Sequence, residues 1–278
     1  MSRIINPYNF LRWDDLGNGP ADVTSDLPNA YIRDSSRCGY KPVIKHAESM
    51  RFYINVELGT VWINDTNIKL RLVKASNGAV TNSNVATLNK NNFTNTASVV
   101  TFNYYAEVTL ADTVPEGDYY FEIYGDTKTW VRSNTVQVVG VNNSILSATC
   151  LFTFRDDTNF YGVRYNDLSS FTQQYRLHFN MIDAQEETNL EVYAEVTSGK
   201  RRTFNSKLDL VKTLESYYFD AASHLAAIVM FAHSSLVING RTYIKKDAYK
   251  ESPNPTSKLT KGSINLYDQG FASINRCS

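Results

Sequence analysis

Residues 104–139 read YYAEVTL, then ADTVPEGD, YYFEIYG, DTKTWVRSN and TVQVV. The order is strand, turn, strand, turn, strand. Phe102, Tyr104, Ala106, Val108 and Leu110 alternate with Thr101, Asn103, Tyr105, Glu107 and Thr109. Tyr119, Phe121 and Ile123 alternate in the same way with Tyr120, Glu122 and Tyr124. A period of two puts one set on each face of a pleated sheet. Pro115 presets φ and Gly117 tolerates φ > 0, which suits the first turn. The stretch reads as the closing part of an antiparallel sandwich and carries no chemistry of its own.

The same periodicity continues upstream. Phe52, Ile54, Val56 and Leu58 alternate, Val61, Trp62 and Ile63 follow Gly59, and Ile68, Leu70 and Leu72 alternate again. Ser76-Asn77-Gly78 is a turn signal, and the Asn- and Thr-rich stretch 81–97 reads as an irregular connection or short edge strands. Six or seven short strands without helical periodicity predict an immunoglobulin-like sandwich over residues 43–141.

Downstream, residues 142–278 read as a second, mainly β domain. Cys150, Phe152 and Phe154 alternate, Phe160, Tyr161, Val163 and Tyr165 begin a return strand, and Tyr175, Leu177, Phe179 and Met181 form another. Leu190, Val192, Ala194 and Val196 lead into a Ser198-Gly199-Lys200 turn, with 203–211 as the hairpin partner. One helix is expected from Asp220 to about His233, with Asp220 as N-cap and Leu225, Ile228, Val229 and Ala232 on its buried face. A hairpin around Asn239-Gly240 and a last strand over 263–267 follow. The predicted fold class is all-β: two tandem antiparallel β-sandwich (immunoglobulin-like) domains, the second with one packed helix, preceded by an extended N-terminal arm over 1–42.

That arm is interrupted by Pro7, Pro20, Pro28 and Pro42, yet carries Tyr8, Phe10, Leu11, Trp13 and Tyr31. A purely solvated tail has no use for such side chains. Two destinations compete: the arm covers its own chain, or it docks on a neighbouring subunit.

With 42% hydrophobic and 20% charged residues over 278 positions, the chain can build cores. The 18 Tyr and 14 Phe favour β structure that touches partners. A balance of 28 basic against 28 acidic residues argues against a nucleic-acid-binding domain. Cys38, Cys150 and Cys277 are odd in number and widely spaced, which predicts free thiols rather than a disulfide scheme or a zinc site. The N-terminus shows no apolar signal segment and no stretch is long enough to span a membrane.

Candidate chemistry is sparse. His178 sits on the outward face of a strand, and His224 and His233 are too far apart for one metal ion. The acid pairs Asp14-Asp15, Asp156-Asp157 and Glu186-Glu187 read as solvated turns rather than facing carboxylates. No catalytic residue, metal ligand or cofactor is expected. Interface candidates are Tyr8, Phe10 and Trp13 in the arm, Tyr105 and Tyr120 on outward sheet faces, with Tyr124 and Tyr193, and the basic run Lys200, Arg201 and Arg202 at a hairpin tip.

The phrase VPEGDYYFEIYGDTKTWVRSNTVQV resembles the last strands of immunoglobulin-like domains in structural proteins of tailed bacteriophages. The matching elements are Gly117, Tyr119 and Phe121, then Ser133 and Asn134 before a valine-rich strand. FTFRDDTNFYGVRY, YRLHFNM, LEVYAEVTSGKRRTF and SLVINGRTYIKKDAY resemble the same group, the tail, ring or baseplate proteins of crAss-like phages. The resemblance implies a virion component: a homo-oligomeric ring contacting portal and other tail proteins, made in the host cytoplasm, with no enzymatic activity, membrane insertion or nucleic-acid readout. It carries over no functional residue. The competing expectation is a carbohydrate-binding module for host-surface glycan, stacking sugar on Tyr120 or Trp62.

Overall fold

The computed structural model describes residues 3–4, 9–15, 40–58, 69–87, 89–96, 99–125, 128–158, 160, 163, 165–168, 170–194, 196–199, 201–252, 260–270 and 276–277. Over these residues the chain is mainly β, with one α-helix.

In the first half, Ser49–Leu58 pairs antiparallel with Val99–Thr109, from Ser49 opposite Thr109 to Leu58 opposite Val100. Gly117–Gly125 lies between Lys69–Lys74 and Lys128–Val139, antiparallel to both. The predicted alternation holds where it matters most. Tyr119, Phe121 and Ile123 are buried, facing a core that also takes Phe52, Ile54, Leu70, Leu72 and Val108. Val80–Thr87 and Asn89–Thr96 pair as outer strands of this half, as their Asn- and Thr-rich sequence suggests. The turn before them uses Gly78 at φ +69, where Asn77 Oδ1 also accepts from the Ala79 amide at 3.0 Å. At the other turn, the Tyr119 hydroxyl donates to the Pro115 carbonyl at 2.8 Å.

In the second half, Cys150–Arg155 pairs with Gln173–Leu177 on one side and Ser235–Ile238 on the other. The sheet continues through Arg241–Lys245 and Lys261–Asp268 to Arg201–Ser216 and Phe179–Ala194. The Asn239-Gly240 hairpin is as predicted, both residues having positive φ (49° and 81°).

Three expectations need correction. Phe160, Val163 and Tyr165 lie in no return strand: Phe160 and Val163 close a tight bridged turn, and Tyr165–Asp167 follows as a 3-10 turn, while Tyr161 lies outside the described residues. Their burial serves a small cluster in which Val163, Tyr165 and Leu168 pack on Tyr53. Phe179–Ala194 is one unbroken strand, running through the polar stretch 183–189 where no apolar alternation marks it. The helix spans Ala221–Met230, and its predicted apolar face is largely its solvent face. Of the expected face Val229 is buried, but Ile228 and Ala232 are exposed and Leu225 half-buried, while Ala222, His224, Ala226, Ala227 and Met230 face inward.

The expected division at 141/142 is crossed by backbone pairing: Arg176 lies opposite Val43 and Gln174 opposite Arg51. One cluster of buried side chains runs from Phe10 through Phe52 and Phe121 to Phe152, Phe179 and Leu266. The arm contributes to it. Residues 13–15 pair with 131–133, and Arg3–Ile4 pairs with 56–57. Of the two destinations weighed for the arm, residues 9–15 take the first and pack on their own chain.

Candidate interaction surfaces

The arm is held by hydrogen bonds as well as by apolar packing. Phe10, Leu11 and Trp13 are buried, and Asn9 between the halves donates to the Tyr53 carbonyl at 3.0 Å and accepts from the Tyr175 hydroxyl. Arg12 forms two parallel bonds to the Asp220 carboxylate, Nη1 to Oδ1 at 3.0 Å and Nη2 to Oδ2 at 2.9 Å. Asp220 also accepts from the Tyr40 amide at 3.0 Å and caps the helix by accepting from the Ser223 amide at 2.8 Å. Burial pushes the Asp220 carboxyl up, but the adjacent Arg12 guanidinium and these donors outweigh it and hold the group below its ordinary value. Asn134 closes the seam: its Oδ1 accepts from the Arg12 amide and its Nδ2 donates to the carbonyls of Phe10 and Tyr40. As interface candidates Phe10 and Trp13 are therefore corrected, because their surface is spent on this chain's own core. Tyr8 lies outside the described residues.

Tyr120 is corrected too. It is only 9% exposed, with the Arg132 guanidinium 4.0 Å above its ring. Beside it the buried Glu122 accepts from Arg71 Nε at 2.7 Å and from Arg132 Nη2 at 2.9 Å. Register explains the group: Glu122 lies opposite Arg71 on one neighbouring strand and opposite Arg132 on the other. Tyr124 takes the Arg71 guanidinium 5.0 Å from its ring centre. The outward face of this sheet is thus a stacked Arg–Glu–Arg and tyrosine layer. Tyr105 is half-buried and packs against Phe171, with ring centres 5.3 Å apart. Trp62 lies outside the described residues, and the Tyr193 side chain is not among those described.

His178, His224 and His233 are each held by structural bonds. His233 Nδ1 donates to the Val229 carbonyl at 2.8 Å, so its Nε2 accepts from the Tyr165 hydroxyl at 3.0 Å, which in turn accepts from Gln173 at 2.8 Å. His224 Nε2 donates to the Thr260 carbonyl at 3.0 Å, and its Nδ1 accepts from the Tyr249 hydroxyl at 2.7 Å. His178 is not on an open face: its amide donates to the Tyr40 hydroxyl at 2.8 Å and its ring nitrogen lies 3.3 Å from the same oxygen. Burial pushes all three imidazoles below their ordinary value and raises Tyr40, Tyr165 and Tyr249 above theirs. Of the paired acids, Asp156 caps its own turn and accepts from the Ser234 amide at 3.2 Å.

Of the basic run, Arg201 opens the second strand of a hairpin. Phe179–Ala194 and Arg201–Ser216 form a hairpin of 16-residue strands. Residues 196–199 and Arg201 are exposed, and Val196 is exposed at 102%. Lys200 lies outside the described residues, and for Arg202 only the backbone, opposite Tyr193, is described. Lys261–Asp268 pairs only with residues 211–215 of this hairpin, and Arg276–Cys277 with Asn205 and Ser206. The outer edge of Phe179–Ala194 has no strand partner among the described residues.

Sequence reasoning missed Glu122, Asn9 and Asn134, and the Arg12–Asp220 pair. Only the N-cap role of Asp220 carried a local signal. No protein-family model matches the chain, and no curated protein matches it. Among the described residues no group of three or more His, Cys, Asp or Glu could hold a metal ion, and no helix is long and apolar enough to cross a membrane.

Proposed function

We propose that this chain is a non-enzymatic structural protein of a tailed bacteriophage virion, a ring component of the portal and tail assembly that contacts neighbouring tail proteins. The observation that carries the reading is the hairpin Phe179–Ala194 with Arg201–Ser216, whose outer edge runs unpaired among the described residues. Arg201–Ser216 has further partners at Asn205–Ser206 and Val211–Glu215, but the outer edge of Phe179–Ala194 has none among the described residues, and an open edge of this length fits a protein that acquires a neighbour. An immunoglobulin-like reading of the first half supports it as well. The bond from the Tyr119 hydroxyl to the Pro115 carbonyl has the form of the tyrosine corner of such sandwiches. His178, His224 and His233 are held in structural hydrogen bonds. Electron microscopy of the purified full chain is expected to show closed rings of one size, and gold-labelled antibody to mark the tail region of intact particles. Particles that contain none of the chain overturn the reading.

A second reading, a glycan-binding module, is favoured by Tyr217 and Tyr218. Their rings stand 5.1 Å apart, 61% and 40% exposed, with Lys261 Nζ 5.3 Å from the Tyr218 ring. Aromatic faces of this kind stack on sugars. Glycan-array binding that is lost in Tyr217→Ala supports this reading, and an array with no binding removes it.

A further inference from the structure

Asn77-Gly78 and Asn239-Gly240 both lie in tight turns, and the fold holds them differently. A third Asn-Gly pair, Asn18-Gly19, lies outside the described residues. Such a pair is open to attack by the glycine nitrogen on the asparagine side-chain amide, because glycine puts no Cβ in the way. Residues 75–80 are all exposed. The bonds that hold Asn77 and Gly78 close within this one turn. Asn77 Oδ1 accepts from the Ala79 amide at 3.0 Å, and the Gly78 amide donates to the Lys74 carbonyl at 2.9 Å. Asn239 is exposed as well, but it is tied outside its own turn. Its amide donates to the Leu151 carbonyl at 2.9 Å, and its Oδ1 accepts from the Leu151 amide at 2.8 Å. That reciprocal clasp fixes it to the neighbouring strand Cys150–Arg155. The bond to an amide two residues on keeps the Asn77 side chain beside the Gly78 peptide, whereas the Asn239 side chain is held toward Leu151.

We propose that Asn77 is a site of spontaneous covalent modification in the folded chain, converting to aspartate and isoaspartate with water as the only co-reactant, while Asn239 is protected by its clasp to Leu151. The Gly78 nitrogen gives its proton to solvent base and attacks Asn77 Cγ. The new C–N bond closes a five-membered succinimide, and the side-chain nitrogen takes up a proton and leaves as ammonia. Water then adds to one of the two imide carbonyls and breaks its bond to the Gly78 nitrogen. Opening at the side-chain carbonyl gives aspartate; opening at the main-chain carbonyl gives isoaspartate. No atom is oxidised or reduced. Attack requires the Gly78 amide to leave the Lys74 carbonyl. Such an opening is easy where the bonds are exposed and confined to one turn, and harder where they join a neighbouring strand. Aspartate keeps the acceptor for the Ala79 amide and adds a negative charge to the turn. Isoaspartate lengthens the main chain by one methylene. The Gly78–Lys74 bond and the 2.9 Å bond from the Lys74 amide to the Ala79 carbonyl then cannot both re-form, and the hairpin of Lys69–Lys74 with Val80–Thr87 opens at its tip.

The test is peptide mapping by mass spectrometry after incubation of the full chain at pH 8 and 37 °C, native and in urea. Conversion exchanges an amide NH2 for an OH, which the peptide mass reads, and enzymatic carboxyl methylation marks the isoaspartate. In the native chain Asn77 is expected to convert at least tenfold faster than Asn239. In urea, where both turns are released, the two rates are expected to fall within threefold of each other. Gly78→Ala, whose methyl group obstructs the attack, slows conversion at position 77 in urea, where strain in the folded turn plays no part. A native chain in which Asn77 stays intact while urea converts it overturns the proposal, because the turn then protects the site. Native conversion at Asn239 as fast as at Asn77 overturns it too, because the Leu151 clasp then protects nothing. The Asn18 peptide is separate in the map and enters neither comparison.

Discussion

Arg12 and Asp220, 208 positions apart, meet in a two-pronged ion pair at the seam between the halves, at 3.0 and 2.9 Å. The pair is partly shielded, with the side chains 9% and 18% exposed. Asp220→Ala removes the helix cap, the Tyr40 acceptor and the arginine's partner together. Leaving a shielded charge without its partner costs about 3–5 kcal/mol. Asp220→Asn retains the cap and an acceptor, and is expected to cost clearly less. Urea denaturation midpoints measure both, and equal losses for Ala and Asn would count against a charge-based clasp.

Acid is expected to loosen the fold before carboxylates titrate. His178, His224 and His233 sit in the folded chain below their ordinary value because burial disfavours the imidazolium. In the unfolded chain each returns to about 6.5. The unfolded state therefore binds more protons just below that value, and stability is present above it and falls as pH drops through it toward the folded values. Asp220, held low by Arg12 against its own burial, adds a second loss below about pH 4. Melting temperature should drop from pH 7.5 to pH 5; a flat profile over that window contradicts the buried-neutral assignment.

Gly262 is required for space. A Cβ there runs into the Tyr249 hydroxyl and ring. The Gly262 amide donates to Ser216 Oγ at 2.7 Å, and Tyr249 bonds His224, so displacement of the ring breaks a buried contact to the helix. Gly262→Ala is expected to cost about 1–3 kcal/mol through overpacking. Gly262→Ala with Tyr249→Phe, which shortens the intruding side chain, recovers part of it in thermal melts.

Tyr119→Phe keeps the buried ring and deletes only the hydroxyl that anchors the Pro115 turn. The expected loss is about 0.5–1.5 kcal/mol. A larger loss measured by urea denaturation would mean that the turn organises more of the first half than one bond accounts for.

The strands around Phe121 and Leu72 were legible because each has one buried and one outward face, which writes a period of two into the sequence. Asn239-Gly240 was legible because its backbone conformation excludes most other residues. The strand through 183–189 was not, since its residues carry no apolar alternation. The helix face was misread for a related reason: Leu225 and Ile228 look like core, yet the Ala and His side chains take the tight inner position. Glu122 between Arg71 and Arg132 depends on the register of three strands, and the arm's hydrogen bonds reach partners from 44 to 208 positions away. No local window contains either.

The place of residues 9–13 between the halves sets an order of events during synthesis. These residues leave the ribosome before the partners that hold them: Asn134, then Tyr175, and Asp220 last of all. Until then Phe10, Leu11 and Trp13 have no complete site, and the first half carries an open apolar seam while the second is still being made. Contacts that span so much chain form late and slowly. Maturation of this protein is thus governed by its C-terminal half, and a truncation well after residue 141 leaves the earlier half unfinished.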